Sequence, residues 1–318
     1  MRSSGAATGR NRAWLILLSV ILTLGLLIDP DMAAAGKRNN KQVAAPQQAW
    51  KLAFQDEFDG SSLNEKIWDT QFPWGRSRTS VGELQWYAPD AFTVANSKLQ
   101  ISAQGTPNAV HDGETFDYSS GLISTHNSFA TEFGRFEIRC KLPRGKGLWP
   151  AFWLLPPDTS WPPEIDVFEA LGDSTDTVHM TSHWSENGAH RSSGAEFSGP
   201  DFSDGFHTFA IEWSATSIVW FVDGVERHKV DNHSPRGPMY LLANMAVGGD
   251  WPGAPDATTA FPAAFEIDYI RAYKSEAAPS VNPGKDKKDK ARNDKGKNNK
   301  KRKKKRKARR AAPKVTNP

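Results

Sequence analysis

The sequence predicts an all-β chain, a β-jelly-roll sandwich of two antiparallel sheets around a concave cleft. Three observations carry the prediction. Between residues 50 and 276 the apolar side chains recur with period two rather than 3.6, and no segment sustains a helical stripe. Gly, Pro, Asn and Asp interrupt the runs at short intervals. Many short strands over roughly 225 residues suit one sandwich or jelly roll better than two domains.

Taken in chain order, Leu99, Ile101 and Ala103 face one side of the first clear strand. In Phe136-Glu-Ile-Arg-Cys-Lys-Leu142 the apolar positions alternate with charged ones. That places Cys140, the one cysteine, on a buried face as an inert small hydrophobe and excludes an intramolecular disulfide. Phe209, Ile211 and Trp213 form the next apolar set. Ile218-Val-Trp-Phe-Val222 then meets Asp223-Gly224 and resumes at Val225, the strongest short-range hairpin signal. Phe265 to Tyr273 alternates again.

The two ends have a different character. Arg2, Arg10 and Arg12 precede an apolar run from Ala13 to Ile28, and Ala33-Ala34-Ala35 follows. This predicts a secretory signal peptide over 1–35 and export, to the medium, periplasm or cell surface, with an uncleaved membrane anchor as the alternative. Residues 36–49 read as a linker, 50–276 as the domain and 277–318 as a disordered basic tail. The chain carries 40 Lys+Arg against 36 Asp+Glu, and the charge is polarised: +4 over residues 1–42, −15 over 43–280 and +15 over 281–318. An acidic body excludes a basic nucleic-acid binder as the reading of the whole chain, and no specific nucleic acid partner is expected. The tail suits anionic polysaccharide or an anionic cell surface, or is merely solvated. A monomer is expected.

The chemistry concentrates in Trp161-Pro-Pro-Glu-Ile-Asp-Val-Phe-Glu-Ala-Leu-Gly172. On a regular strand Glu164 and Asp166 share a face while Ile165 and Val167 point inward. Glu169 is out of phase, and an unpaired carboxylate on the core face would be costly. A β-bulge around Val167 and Phe168 returns it to the face of Glu164. Three acids on one face repel, so at least one carboxyl must hold its proton. Glycoside hydrolysis needs this combination of an ionised nucleophile and a protonated acid. An acidic strand edge and a cation site are the alternatives, but calcium draws mostly on loop oxygens. Twelve tryptophans point to an aromatic-lined groove. Trp149, Trp161 and Trp251 are candidate sugar platforms, and Trp153 is as well suited to the core.

The segment Glu164-Ile-Asp-Val-Phe-Glu169 resembles the catalytic motif of glycoside hydrolase family 16 in its bulged, laminarinase-like form. The similarity extends to Phe133–Arg139, Gly147–Pro156, the acceptor-side loop Asn244–Gly253 and the closing strand Ile267–Arg271, and so covers most of 52–274. Trp161-Pro-Pro also resembles a branch with bacterial exopolysaccharide-cleaving enzymes. The resemblance implies Glu164 as nucleophile, Glu169 as general acid/base and Asp166 as the residue that orients and tunes them. It puts His183 near the acid/base, Asn244 in the cleft, and Glu83 and Arg135 against the donor-side sugar, with His179 structural. Val81-Gly82 departs from the Asn that many laminarinases carry. The family also implies a structural Ca²⁺ on Glu57 and Asp268, and no cofactor for catalysis. The function implied is a retaining endo-hydrolase of β-1,3- or mixed β-1,3/1,4-glucan. An endo-glycanase for an acidic exopolysaccharide, or a non-catalytic carbohydrate-binding protein on the same fold, is the alternative.

Overall fold

The computed structural model describes residues 49–276, Pro235 excepted. The expected signal peptide, nearly all of the linker and the basic tail lie outside the described residues. Within them the architecture is a jelly-roll sandwich, with one short 3₁₀ turn at Thr79–Val81.

The larger sheet runs in the order Val225–Asp231, Ser217–Val222, His207–Trp213, Gly134–Lys141, Ala263–Glu276, Leu99–His111, Glu114–Ser120, Gln85–Tyr87. Ala49–Asp56 and Phe92–Val94 add to its flank. The smaller sheet runs Ala189–Ser198, Thr177–Glu186, Glu164–Ala170, Leu148–Leu155, Met239–Val247, Leu122–Ser124, with Ala130–Thr131 also pairing there. Strand pairing is antiparallel except between Gln85–Tyr87 and Glu114–Ser120, which are parallel.

Alternation decides what each sheet buries. Phe136, Ile138, Cys140, Phe209, Ile211, Trp213, Phe265 and Ile267 turn inward from the larger sheet, each at most 2% exposed. Burial pushes the Cys140 thiol well up, in keeping with an unreactive core residue. From the smaller sheet Phe152, Leu154, Ile165, Leu241, Ala243 and Met245 meet them. The intervening residues of the smaller sheet face away from this core. Ala151, Trp153, Leu155, Tyr240 and Leu242 pack with Phe72, Tyr87 and Leu122 into a second apolar layer under the cleft. At fully buried sites each large side chain contributes about 1.5–3 kcal/mol, so both layers hold the sheet in place.

The expected bulge is present. Asp166 pairs with Thr181 and Glu169 with His179, and the register shifts between them. On the other side the shift falls between Asp166 and Phe168. Val167 and Phe168 are both buried, which is how the extra residue is absorbed. The indole N–H of Trp220 crosses the core from the larger sheet and donates to the Asp166 carbonyl at 2.8 Å, beside the bulge.

Candidate active site

Four neighbouring strands of the smaller sheet and one loop build the site. Trp149, Ala151 and Trp153 come from Leu148–Leu155, the three acids from Glu164–Ala170, His183 from Thr177–Glu186, and Asn244 and Ala246 from Met239–Val247. Arg78 and Glu83 come from the loop before Gln85–Tyr87. Arg78, Glu83, Trp149, Trp153, Asn244 and the three acids line one recess. An adjoining cavity of about 280 Å³ beside Glu164 is lined by Trp74, Arg78, Trp153 and Trp161, among others.

The three acids sit in different surroundings. The Asp166 side chain is 3% exposed and that of Glu164 13%, so water reaches Glu164 more readily. Nε2 of His183 lies 3.2 Å from Asp166 Oδ2 and 3.7 Å from Glu164 Oε1, close to both and aligned as a hydrogen bond to neither. The indole N–H of Trp149 donates to Glu169 Oε1 at 3.1 Å. Burial, then the Asp166 charge, pushes the Glu164 carboxyl well above the usual carboxylate range, against the pull of His183 and Arg78. Burial, then the Glu169 charge, does the same to Asp166. Burial also raises Glu169, while His183 and the Trp149 hydrogen bond favour its ionised form. Burial thus raises all three carboxyls, the direction the crowding argument also required.

Beneath the acids lies a closed polar network. Glu83 Oε2 accepts from Gln85 at 2.7 Å and from Tyr87 Oη at 3.1 Å. Asn244 donates to Tyr87 Oη at 3.0 Å and accepts from the Trp153 indole at 2.8 Å. Val247 N–H donates to Gln85 Oε1 at 2.7 Å. Glu83 and Asn244 are therefore in the recess as expected, but their polar atoms brace the floor. Trp153 likewise belongs to the floor, 5% exposed, with its indole committed to Asn244.

Exposed aromatic faces flank the acids. Trp161 packs against His190 and His183, with centroids 4.8 and 6.1 Å apart, and Trp251 stands edge-on to Trp149 at 5.6 Å. His179 sits edge-on to Trp251 at 4.6 Å and 3.4 Å from Glu196, which suits its structural reading.

Two expectations need correction or revision. Arg135 is not in the cleft. It lies on Gly134–Lys141 of the larger sheet, where its guanidinium pairs with Glu137 at 2.7 Å and Glu212 at 3.1 Å. The family resemblance put it against the donor-side sugar, but it points outward from the other sheet. Glu57 and Asp268 do not form a cation cage either. Both Glu57 oxygens accept from Arg271 at 2.7 Å, and Asp268 pairs with Arg139. Each carboxylate already carries a cation, so these residues do not fit Ca²⁺, which wants several free oxygens.

Arg78 and Trp74 were not singled out from the sequence. The Arg78 guanidinium lies over the rings of Trp153 at 5.5 Å and Phe72 at 5.7 Å, and 3.9 Å from Glu83. It is the arginine that lines both cavities beside the acids. Gly82, at φ 77°, lets this loop press on the one carrying Asp250: a Cβ there would stand 2.8 Å from the Asp250 carboxylate and 3.1 Å from its N. The Val81-Gly82 departure thus has a packing reason. The cluster of aromatic and basic residues in Phe72-Pro-Trp-Gly-Arg-Ser-Arg78 was the available signal.

Comparison with known proteins accords with this geometry. Residues 83–271 match the family described as Glycosyl hydrolases family 16, and residues 8–157 match Beta-glucan synthesis-associated protein SKN1/KRE6/Sbg1. The chain is 39% identical over 242 residues to Endo-1,3-1,4-beta-glycanase ExsH of Rhizobium meliloti (strain 1021), covering 70% of this chain and 52% of that one. It is 34% identical over 256 residues to the Beta-glucanase of Rhodothermus marinus, covering 71% and 85%. The chain thus spans about half the length of ExsH. Among solved structures, the catalytic domain of an endo-1,3-beta-glucanase (laminarinase) from Thermotoga petrophila RKU-1 superposes with a TM-score of 0.66 at 35% identity, covering 73% of this chain and all of that one. The chain belongs to glycosyl hydrolases family 16.

Proposed function

We propose that this family 16 chain is an exported, retaining endo-glycosidase acting on β-1,3- or mixed β-1,3/1,4-glucan. One observation carries the reading: the bulge aligns Glu164, Asp166 and Glu169 on the cleft face with exposed tryptophans on either side. Sugar rings offer apolar C–H faces to indole, and Trp161 and Trp251 are placed to receive them. The name of ExsH supports the β-1,3/1,4 linkage, and that of the Rhodothermus marinus Beta-glucanase supports the glucan class.

In the proposed reaction Glu164, more open to solvent than Asp166, attacks the anomeric carbon as its carboxylate. Glu169, whose carboxyl burial raises, gives its proton to the leaving oxygen, so the glycosidic bond breaks as the glycosyl–Glu164 ester forms. Glu169, now ionised and steadied by the Trp149 N–H, takes a proton from water. The hydroxide so generated cleaves the ester and restores both groups. Asp166 lies between them along the strand, 3.2 Å from His183 Nε2, and shifts proton affinity from one to the other as the charge changes. We further infer that residues 281–318, with a net charge of +15, hold the enzyme to anionic polysaccharide or an anionic surface in a salt-dependent way.

Digestion of a panel of β-glucans and bacterial exopolysaccharides, with product sizing and NMR of the first-formed anomer, tests the reading. Internal cleavage of β-1,3-containing glucan with the β anomer formed first is expected. Inverted product would rule out the double displacement, and a chain that binds glucan without cutting it would be a carbohydrate-binding protein instead.

A further inference from the structure

The hairpin beyond the histidine strand carries a group that this mechanism leaves unused. Thr177–Glu186 turns into Ala189–Ser198 through Asn187-Gly188, whose φ values of 53° and 78° make the two-residue turn that matches strand twist. That turn sets the register. His183 lies opposite Ser192 and His190 opposite Ser185, so the two histidines are diagonal neighbours on one face. Their rings stack at 5.2 Å with 19° between planes, and His183 Nδ1 is 2.9 Å from His190 Nε2. A one-residue slip would send His190 to the other face.

Only one hydrogen fits between ring nitrogens 2.9 Å apart. On its far side, His183 Nε2 faces oxygens of Asp166 and Glu164, and Glu164, ionised as the nucleophile of the proposed reaction, only accepts. The neutral His183 ring is therefore best served with its hydrogen on Nε2. Its Nδ1 is then an acceptor, and His190 must donate its Nε2–H. Adding a proton to His183 Nδ1 would set two N–H groups face to face unless His190 first changed tautomer.

We propose that His190 is a positioning residue. By donating its Nε2–H to His183 Nδ1 it keeps the His183 ring turned with Nε2–H aimed between Glu164 and Asp166. The groups facing the pair are Glu164 and Asp166 from the acid strand, the more distant Glu169, and Trp161 from the lead-in loop. Ser192 is opposite His183, and beside His190 the charges of Arg191 and Glu186 answer each other at 3.2 Å. The inference rests on the reading of Glu164 and Glu169 as the reacting pair.

His190→Ala and His190→Gln in the full chain test it. The readouts are long-range ¹H–¹⁵N spectra of the histidines, and kcat and KM followed across the range where imidazole titrates. In the parent protein at neutral pH His183 should show one tautomer, Nε2–H. His190→Ala should mix the tautomers and lower kcat about fivefold with KM unchanged, the scale of one hydrogen bond. Gln, whose amide N–H can donate to Nδ1, should restore both. An Nδ1–H tautomer in the parent, a spectrum or kcat unaltered by Ala, or no recovery with Gln overturns the proposal. The spectra need no turnover. If Glu164→Gln proved fully active, the assignment of Glu164 as nucleophile would fall while the tautomer result stood separately.

Discussion

Both sheets present rows of acidic residues on the face turned away from the core, yet only one row is neutralised. On the larger sheet Glu57 meets Arg271, Glu137 and Glu212 share Arg135, Asp268 meets Arg139, and Glu266 lies between Lys98 and Lys141. Tyr269, stacked under Arg271 at 3.7 Å, donates to Glu137 at 2.9 Å. On the smaller sheet Glu164, Asp166 and Glu169 have no such partner. His183 is at contact distance, and Arg78 is spent largely on aromatic rings and Glu83. The same residue type thus does two jobs. Where every acid has a cation across the strand pair the arrangement favours the fold. Where acids crowd without cations it opposes the fold and creates proton affinity, the mark of a functional site.

The comparison breaks most visibly if the crowded acids prove dispensable. Glu164→Gln and Glu169→Gln should each lower turnover by several orders of magnitude while the far-ultraviolet circular dichroism stays unchanged, and azide should partly rescue Glu169→Ala. Parent-like rates in either variant would end the catalytic assignment.

Asp166→Asn should cut kcat about a hundredfold, as expected when a partner in acid–base chemistry is lost. It should also raise the melting temperature at neutral pH, because it removes one of three crowded charges. The sign follows from the raised carboxyls. They bind protons more tightly in the folded chain than in the unfolded one. Their contribution is whole at pH below the ordinary carboxylate range and is lost as pH rises through the raised values. Warming scans from about pH 4 to pH 7 should therefore show stability falling through this contribution, and Asp166→Asn should flatten the fall. A melting temperature lowered by Asn would mean that the acid is structural.

On the larger sheet the expected effects are smaller and of the opposite kind. Arg271→Ala should lower stability by about 1 kcal/mol or less, since both partners of its pair are near 30% exposed, and should leave kcat unaltered. Arg135→Ala should leave KM for a short oligosaccharide unchanged, and a raised KM would return Arg135 to the cleft. The smallest effect concerns calcium. Dialysis against EDTA should not move the melting temperature, because Glu57 and Asp268 are already paired.

Much of the smaller sheet was legible before any coordinates. The phase error of Glu169 against Glu164 demanded a bulge, and the register shift lies where the demand put it. Cys140, Phe209 and Ile211 followed from alternation alone. Arg78 and Trp74 did not, because a loop has no period from which to read a face. Arg135 shows the limit in another form: period two tells that a side chain points outward, not which of two sheets it points from. Glu57 found its cation 214 residues away at Arg271, a distance at which spacing carries no information.

By itself the sequence determined what depends on neighbours along the chain: the strands, their inward faces, the three acids on one face and the bulge that puts them there. Side-chain direction in a strand is a local property with a period of two, so it is written within a few residues. Tertiary structure alone decided which strands lie side by side, and hence that Trp220 crosses the core to the bulge, that Arg78 lines the recess beside the acids, and that Arg135 turns its back on them. Sheet order is settled by how two curved surfaces bury their apolar faces against each other, a sum over the whole core that no single stretch of sequence contains.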